Sequence, residues 1–192
     1  MRKLHRSALA EIKKGRLEQA EKNLRKAIEL DSLFAEAFSD LGALLMGQRR
    51  YPEAREILQQ GLAAEPRSPL LLQNLGFTLF NLTEYDEAAA RLREAARLRP
   101  GVGAVHLHLG VALLQTKNYA EAEHYLLLAA ADPGSLRAAA QLPLGELYLA
   151  TGRHEKAIDA FRLYVEMKPE AANAAEIRSL LERLERAQAR RP

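Results

Sequence analysis

A spacing of 34 residues between similar glycines constrains this chain more than any other feature of its sequence. Gly42, Gly76, Gly110 and Gly145 follow one another at steps of 34, 34 and 35 residues, each within an apolar segment. A glycine inside a helix costs roughly 1 kcal/mol relative to alanine, so four glycines in phase need a common structural reason. Self-similarity at this period indicates a repeated supersecondary unit.

Other residue types keep the same step. They are the alanines Ala20, Ala54, Ala88, Ala122 and Ala157, the large apolar residues Leu24, Leu58, Leu92, Leu126 and Phe161, the tyrosines Tyr51, Tyr85 and Tyr119, and the closing prolines Pro66, Pro100, Pro133 and Pro169. Within each unit the apolar residues recur at helical spacing in two runs, which a short polar segment separates. The pattern therefore predicts a helix–turn–helix in every unit, followed by a turn into the next.

The recurring glycine has a physical explanation in such a pair. Two helices approach closely only where small residues meet, and we expect Gly76 to lie against Ala88. Replacing Gly76 with leucine should overpack this crossing and cost about 1–3 kcal/mol or more.

Composition excludes several classes of protein. The 192-residue chain is 48% hydrophobic and 28% charged, which is far too apolar for a disordered protein. It contains no cysteine, so disulfides, thiolate metal sites and cysteine nucleophiles are all ruled out. The formal net charge of +3 is mild, and acidic residues alternate with the basic ones, which is typical of solvated helix faces rather than of a nucleic-acid patch.

The amino-terminal residues do not resemble a signal peptide. They are basic, but Glu11, Lys13 and Lys14 interrupt them before an apolar run develops, and no later segment has the apolar length of a membrane helix. We expect a cytoplasmic protein without membrane insertion. A domain cut from a larger, exported protein is the alternative.

These residues resemble the tetratricopeptide repeat (TPR) family. The resemblance rests on the 34-residue step and on Leu-Gly, Tyr, Ala, Leu and Ala at their expected places before a closing proline. It covers five copies, residues 1–34, 35–68, 69–102, 103–137 and 138–171, and implies one all-α domain over residues 1–192, a right-handed solenoid of antiparallel helix pairs. Pentatricopeptide repeats, which read RNA, have a similar length but lack this set of residues.

Departures from the pattern occur at both ends. The first copy has Ala8 for the glycine and Glu11 at an apolar position, so we expect its first helix to be a partly exposed edge. In the fifth copy, Pro143 should kink the first helix or delay its start. Residues 172–189 have an apolar stripe among charges, and we interpret them as the cap helix that covers the last apolar face of a stacked array.

The sequence shows no converging catalytic constellation. His106 and His108 are two residues apart, so on a helix they point to different sides and cannot share a metal. The turn at Gly101 and Gly103 lacks the strand and third glycine of a nucleotide loop. We therefore predict a protein that is not an enzyme, with no catalytic residue, no bound metal and no cofactor.

The resemblance also implies a partner-binding groove lined by the first helix of each copy. The central residues carried over to this sequence are Met46, Gln73, Asn74, Phe77, Phe80, Asn81, Leu107, His108, Val111 and Gln115. Outer members of the same set include His5, Arg6, Asp40, Leu114, Leu142, Glu146 and Leu149. Phe80 and Leu114 have an alternative role in the core. Neither the cations of a carboxylate clamp nor an asparagine ladder is present in this set.

The function predicted from these features is a protein–protein interaction scaffold that binds a peptide or helix of a partner. Apolar residues in the middle of the groove would take up side chains, and amides would bond the peptide backbone. The competing hypotheses are a self-assembling module and an accessory domain of a larger secretion or enzyme protein. We expect a monomer or weak homo-oligomer that binds no nucleic acid.

Overall fold

The computed structural model describes residues 1–189, and these are all-α. The helices are α1 (Arg2–Lys13), α2 (Leu17–Leu30), α3 (Ala35–Gly47), α4 (Tyr51–Ala64), α5 (Pro69–Asn81), α6 (Tyr85–Leu98), α7 (Gly103–Gln115), α8 (Tyr119–Ala130), α9 (Ser135–Ala150), α10 (His154–Met167) and α11 (Ala174–Ala189). No strand occurs in residues 1–189, and the all-α fold class predicted from the repeat is confirmed.

The helices form two compact units, Met1–Pro100 and Gly101–Pro192. In the first unit α1 packs on α2, α3 on α4 and α5 on α6, while α3 also contacts α5. In the second unit α7 packs on α8 and α9 on α10, α7 contacts α9, and α11 packs on α10. First helices of successive copies thus lie side by side, α3 beside α5 in the first unit and α7 beside α9 in the second. The single domain with the copy boundaries given above stays a prediction.

The phased glycines lie under a large side chain of the second helix in the same pair. A Cβ atom added at Gly76 would lie 2.5 Å from Cγ of Leu92, and one at Gly110 would lie 2.7 Å from Cγ of Leu126. The sequence predicts Ala88 as the residue that lies against Gly76. The structure corrects this prediction, because the neighbour is Leu92. Ala88 is itself fully buried, one helical turn earlier on α6.

A three-residue turn joins the two helices of each pair and contains one residue with positive φ. The residues are Gly15, Arg49, Thr83, Lys117 and Gly152, with φ between 60° and 74°. The turns also share a capping bond: the amide of Glu84 donates to the Leu79 carbonyl at 3.0 Å, and the amide of Asn118 donates to that of Leu113 at 2.8 Å. A residue in the left-handed conformation, followed by an amide that bonds to the carbonyl five residues earlier, commonly ends a helix.

Pro143 does not delay its helix, which corrects one of the two alternatives stated above. Helix α9 begins at Ser135, eight residues earlier, and continues through a buried Pro143 to Ala150. Asp132 prepares this start, because its Oδ1 accepts a hydrogen bond of 2.8 Å from the Gly134 amide. Burial of apolar residues on both sides of the proline offsets the backbone bond that proline cannot donate.

The terminal helices differ from the others in how they are covered. In α1 only Ala8 is buried, as expected for an edge helix. Glu11 is nevertheless largely covered, because it forms ion pairs with Lys14 at 2.9 Å and Arg16 at 3.4 Å. At the other end, α11 buries Ala174, Ile177 and Leu181, and its neighbour Asn173 accepts a hydrogen bond of 2.6 Å from the Tyr164 hydroxyl.

Salt bridges connect successive pairs within each unit. Arg50 pairs with Glu21 at 2.6 Å, Arg55 with Glu84 at 2.9 Å and Arg153 with Glu123 at 2.7 Å. In the first and third bridges the turn residue before the second helix is the arginine. In Arg55–Glu84 the turn residue is the glutamate instead. None of the helices in residues 1–189 is both long and apolar enough to cross a membrane.

Candidate functional site

The predicted groove residues of the first unit lie on α3 and α5 and remain accessible to solvent. We call them the first-unit face: Met46, Gln73, Asn74, Phe77, Phe80 and Asn81. Asn81 is exposed and the other five are half-buried. They are accessible because Leu72, Leu75 and Leu79 point from the opposite face of α5 into the core. Phe80, for which the sequence allowed a core role, lies edge-on to Tyr85 with ring centres 5.5 Å apart.

Two amides of the first-unit face bond to the protein itself. Nδ2 of Asn74 donates to Oγ of Ser39 at 3.2 Å and to the Ser39 carbonyl at 3.3 Å, which ties α5 to α3. Nδ2 of Asn81 donates to the Phe77 carbonyl at 2.8 Å. These donors are occupied within the fold, so the apolar surface of Met46, Phe77 and Phe80 is the part of this face best suited to binding.

The first helix adds a small cleft to the same unit. The cleft has a volume of about 410 Å³ and is lined by Arg2, His5, Arg6, Phe34 and Glu36. The His5 ring stands edge-on to Phe34 at 5.0 Å, and its Nε2 lies 2.6 Å from Oδ2 of Asp40. This hydrogen bond connects α1 to α3.

The corresponding surface of the second unit lies on α7 and α9. We call it the second-unit face: Leu107, His108, Val111 and Gln115 of α7, with Leu142, Glu146 and Leu149 of α9. Gln115 and Glu146 are exposed, and the other five are half-buried. Leu114 is buried and belongs to the core, the alternative stated from the sequence.

The two histidines of α7 point to different environments, as their spacing predicts. His106 is buried with its ring centre 5.9 Å from that of Tyr125, and burial together with the nearby His124 lowers its pKa. Nδ1 of His108 lies 2.8 Å from the Ala104 carbonyl. Desolvation lowers the pKa of His108, and this hydrogen bond opposes the shift.

Glu146 is the residue of the second-unit face that sequence reasoning undervalued. It makes no hydrogen bond or ion pair with any residue from 1 to 189, and the surrounding protein atoms partly desolvate its carboxylate. This desolvation raises the pKa of Glu146 above the ordinary 4.5. The signal was present in the sequence, since the preceding residues at this repeat position are Leu9, Ala43, Phe77 and Val111, all apolar.

Both faces consist of side chains on helices rather than of a closed cavity with converging polar groups. Within residues 1–189 no three His, Asp or Glu side chains come together as metal ligands. The single groove running over all ten predicted residues stays a prediction.

The comparisons with known proteins identify the family. Residues 11–75, 75–135 and 127–172 match sequence models of the tetratricopeptide repeat. These matches cover most of the chain, which therefore belongs to the tetratricopeptide repeat family. No curated protein matches the chain in sequence.

Solved structures share the same fold at low sequence identity. YrrB, described as a TPR protein with an unusual peptide-binding site, is 24% identical over 92% of this chain and 90% of its own, with a TM-score of 0.81. MamA is 20% identical over 86% of this chain and 96% of its own, with a TM-score of 0.75. A tetratricopeptide repeat protein from Parabacteroides merdae is 20% identical over 98% of this chain and 75% of its own, with a TM-score of 0.77.

Proposed function

We propose that this chain is a non-enzymatic interaction scaffold that binds a peptide or helix of a partner protein on its first-unit and second-unit faces. The observation that carries the proposal is the half-exposure of Met46, Phe77 and Phe80 on helices whose other faces enter the core. Large apolar side chains gathered on an accessible face commonly mark a protein-binding surface. The peptide-binding site named for YrrB, which has the same fold, agrees with this function.

Binding should depend on the apolar side chains more than on the asparagine amides. The amide of Asn74 already bonds to Ser39, so Asn74→Ala would remove a contact between α3 and α5 together with any contact to a ligand. Phe77→Glu is the sharper variant, because it places a charge at the centre of the first-unit face. Val111→Glu does the same for the second-unit face.

Selection of peptides from a random displayed dodecapeptide library on the immobilised chain would test the proposal. Peptides that are enriched would be synthesised, and their dissociation constants measured by fluorescence anisotropy. We expect Phe77→Glu or Val111→Glu to weaken each peptide at least tenfold, about 1.4 kcal/mol. Leu127→Glu is the matched control, since Leu127 is an exposed leucine on α8 outside both faces.

The variants must first melt at temperatures close to that of the wild type by circular dichroism, so that lost binding is not lost folding. A library that yields no enriched peptide would contradict the proposed function. Equal affinity in all three variants would move the binding surface away from the two faces.

A further inference from the structure

The second-unit face contains a single residue of the Asp, Glu, Lys and Arg types, which is Glu146. Its neighbours along α9 at helical spacing are Leu142 and Leu149. Helix α7 lies beside α9 and presents Leu107 and Val111 at the equivalent repeat positions. The carboxylate therefore stands in a surface that is otherwise mostly apolar.

Three half-buried carboxylates of this protein are neutralised by cations of the chain. Glu21 is paired with Arg50, Glu123 with Arg153 and Glu11 with Lys14, at 2.6–2.9 Å. Glu146 makes no such pair with any residue from 1 to 189. Unlike these three residues, Glu146 is exposed and has no counter-charge among the described residues.

Folding does not require a charge at this position. An apolar residue stands at the equivalent place in the four preceding copies, on helices of the same type. A carboxylate that loses part of its hydration without a compensating partner lowers stability. A ligand can compensate for this loss, because its cation would pair in the complex with the carboxylate that is unpaired in the free protein.

We propose that the second-unit face binds a peptide segment of a partner that places a lysine or arginine side chain on the Glu146 carboxylate and an apolar side chain on Val111 and Leu107. The proposal rests on the proposed function and adds to it the chemical class of the ligand. The complex requires one basic residue with apolar neighbours, and it is not a general attraction for polycations, because only one carboxylate is available.

The spacing of the two ligand side chains follows from the helices. Packed helices lie about 8–10 Å apart, and an extended peptide advances about 3.3 Å per residue. The basic residue and the apolar residue are therefore expected roughly two to three positions apart in the segment. This spacing separates the proposed ligand from a merely basic sequence.

The experiment compares dodecapeptides selected by the wild-type chain with those selected by Glu146→Gln and by Glu146→Lys. Wild type should enrich lysine or arginine two to three positions from an apolar residue. Glu146→Gln should bind these peptides roughly tenfold more weakly, as expected when a hydrogen bond to a charged group is lost. Glu146→Lys should instead enrich aspartate or glutamate at the basic position, and Glu56→Gln, which changes an exposed carboxylate on α4, should leave affinity unchanged.

The stability of Glu146→Gln relative to wild type serves as the control for folding. Because burial raises the pKa of Glu146, the folded state holds this proton more tightly than the unfolded state and loses stability as the pH rises above about 4.5. Glutamine lacks this loss, so Glu146→Gln should melt no lower than wild type at pH 7. A loss of binding in a variant that is at least as stable cannot be assigned to unfolding.

The possible failures are distinguishable. Peptides that bind without a preferred basic residue, and bind Glu146→Gln as tightly as wild type, would overturn this inference and leave the proposed function standing. A preference for basic residues that Glu146→Lys retains would also overturn it. Absence of any enriched peptide would overturn both.

Discussion

Gly76 of α5 lies directly against the Leu92 side chain of α6. Leu92 is fully buried, so its side chain cannot move aside for an added methyl group. A Cβ at position 76 would meet Cγ of Leu92 at 2.5 Å and the Leu92 backbone nitrogen at 3.4 Å. The glycine is therefore required by packing and not by backbone conformation.

We expect Gly76→Ala to lower the free energy of unfolding by about 1–3 kcal/mol, because overpacking outweighs the helix propensity gained. Gly47→Ala is the matched control, since Gly47 ends α3 with no atom near its absent Cβ. That variant should be stabilised by up to about 1 kcal/mol. Urea denaturation followed by circular dichroism measures both, and the same sign for the two variants would contradict the packing argument.

The sequence predicted which residue of α5 must be small but not what lies against it. Ala88 and Leu92 are one turn apart on the same side of α6, and the identity of the contact depends on how far the helices are rotated and shifted. Periodicity alone does not give these two quantities. The same reason applies to Asn74, whose bond to Ser39 depends on how α3 and α5 stack.

At the scale of whole elements, the turns between paired helices contain a conformation that most residues adopt only at a cost. Arg49, Thr83 and Lys117 have φ near 60°, where an L-residue other than glycine loses roughly 1–2 kcal/mol. Thr83 is the most unfavourable of the three, because its side chain is branched at Cβ. Gly15 and Gly152 occupy the equivalent position in the first and last pairs.

Thr83→Gly should therefore stabilise the protein, by roughly 0.5–1 kcal/mol after the larger entropy of glycine in the unfolded chain is subtracted. Thr116→Gly should do the opposite. Thr116 has φ of −87°, and its hydroxyl donates to the Leu113 carbonyl at 3.2 Å, so glycine removes a bond and relieves no strain. Thermal melts of the two variants should shift in opposite directions, and a destabilised Thr83→Gly would contradict this explanation of the turn.

The salt bridges between copies were within reach of sequence reasoning, although the pattern was not recognised there. Residues 50, 84 and 153 immediately precede the second helix of a pair, and their partners 21, 55 and 123 lie in the second helix of the preceding pair. In Arg55–Glu84 the acid and the base are exchanged, so the same residue type does not recur at either position in every copy. A comparison of residue types between copies therefore does not reveal the salt bridges. Glu146 was overlooked for a related reason, since one charge in an apolar column is a departure from the repeat and not a part of it.

At the scale of the molecule, one of the two competing hypotheses is self-assembly through the first helix. This alternative rests on Glu11, whose place at an apolar repeat position indicates an edge that another copy could cover. In the structure the charge of Glu11 is met by Lys14 and Arg16, whose hydrogen bonds and charges lower its pKa. Glu11 therefore needs no counter-charge from a second copy of the chain.

The charge of α1 also opposes pairing of this helix with itself. Four of its residues are lysine or arginine, and Glu11 is its only acid, so two copies joined here would bring like charges together. We expect light scattering after size exclusion to give the monomer mass of 21.4 kDa at low ionic strength. Salt screens surface charges, so any association through α1 should increase with ionic strength and should be abolished by Leu9→Lys, which charges an exposed apolar residue of that helix. A dimer that persists at low salt and in Leu9→Lys would contradict the electrostatic argument and would place self-association on another surface.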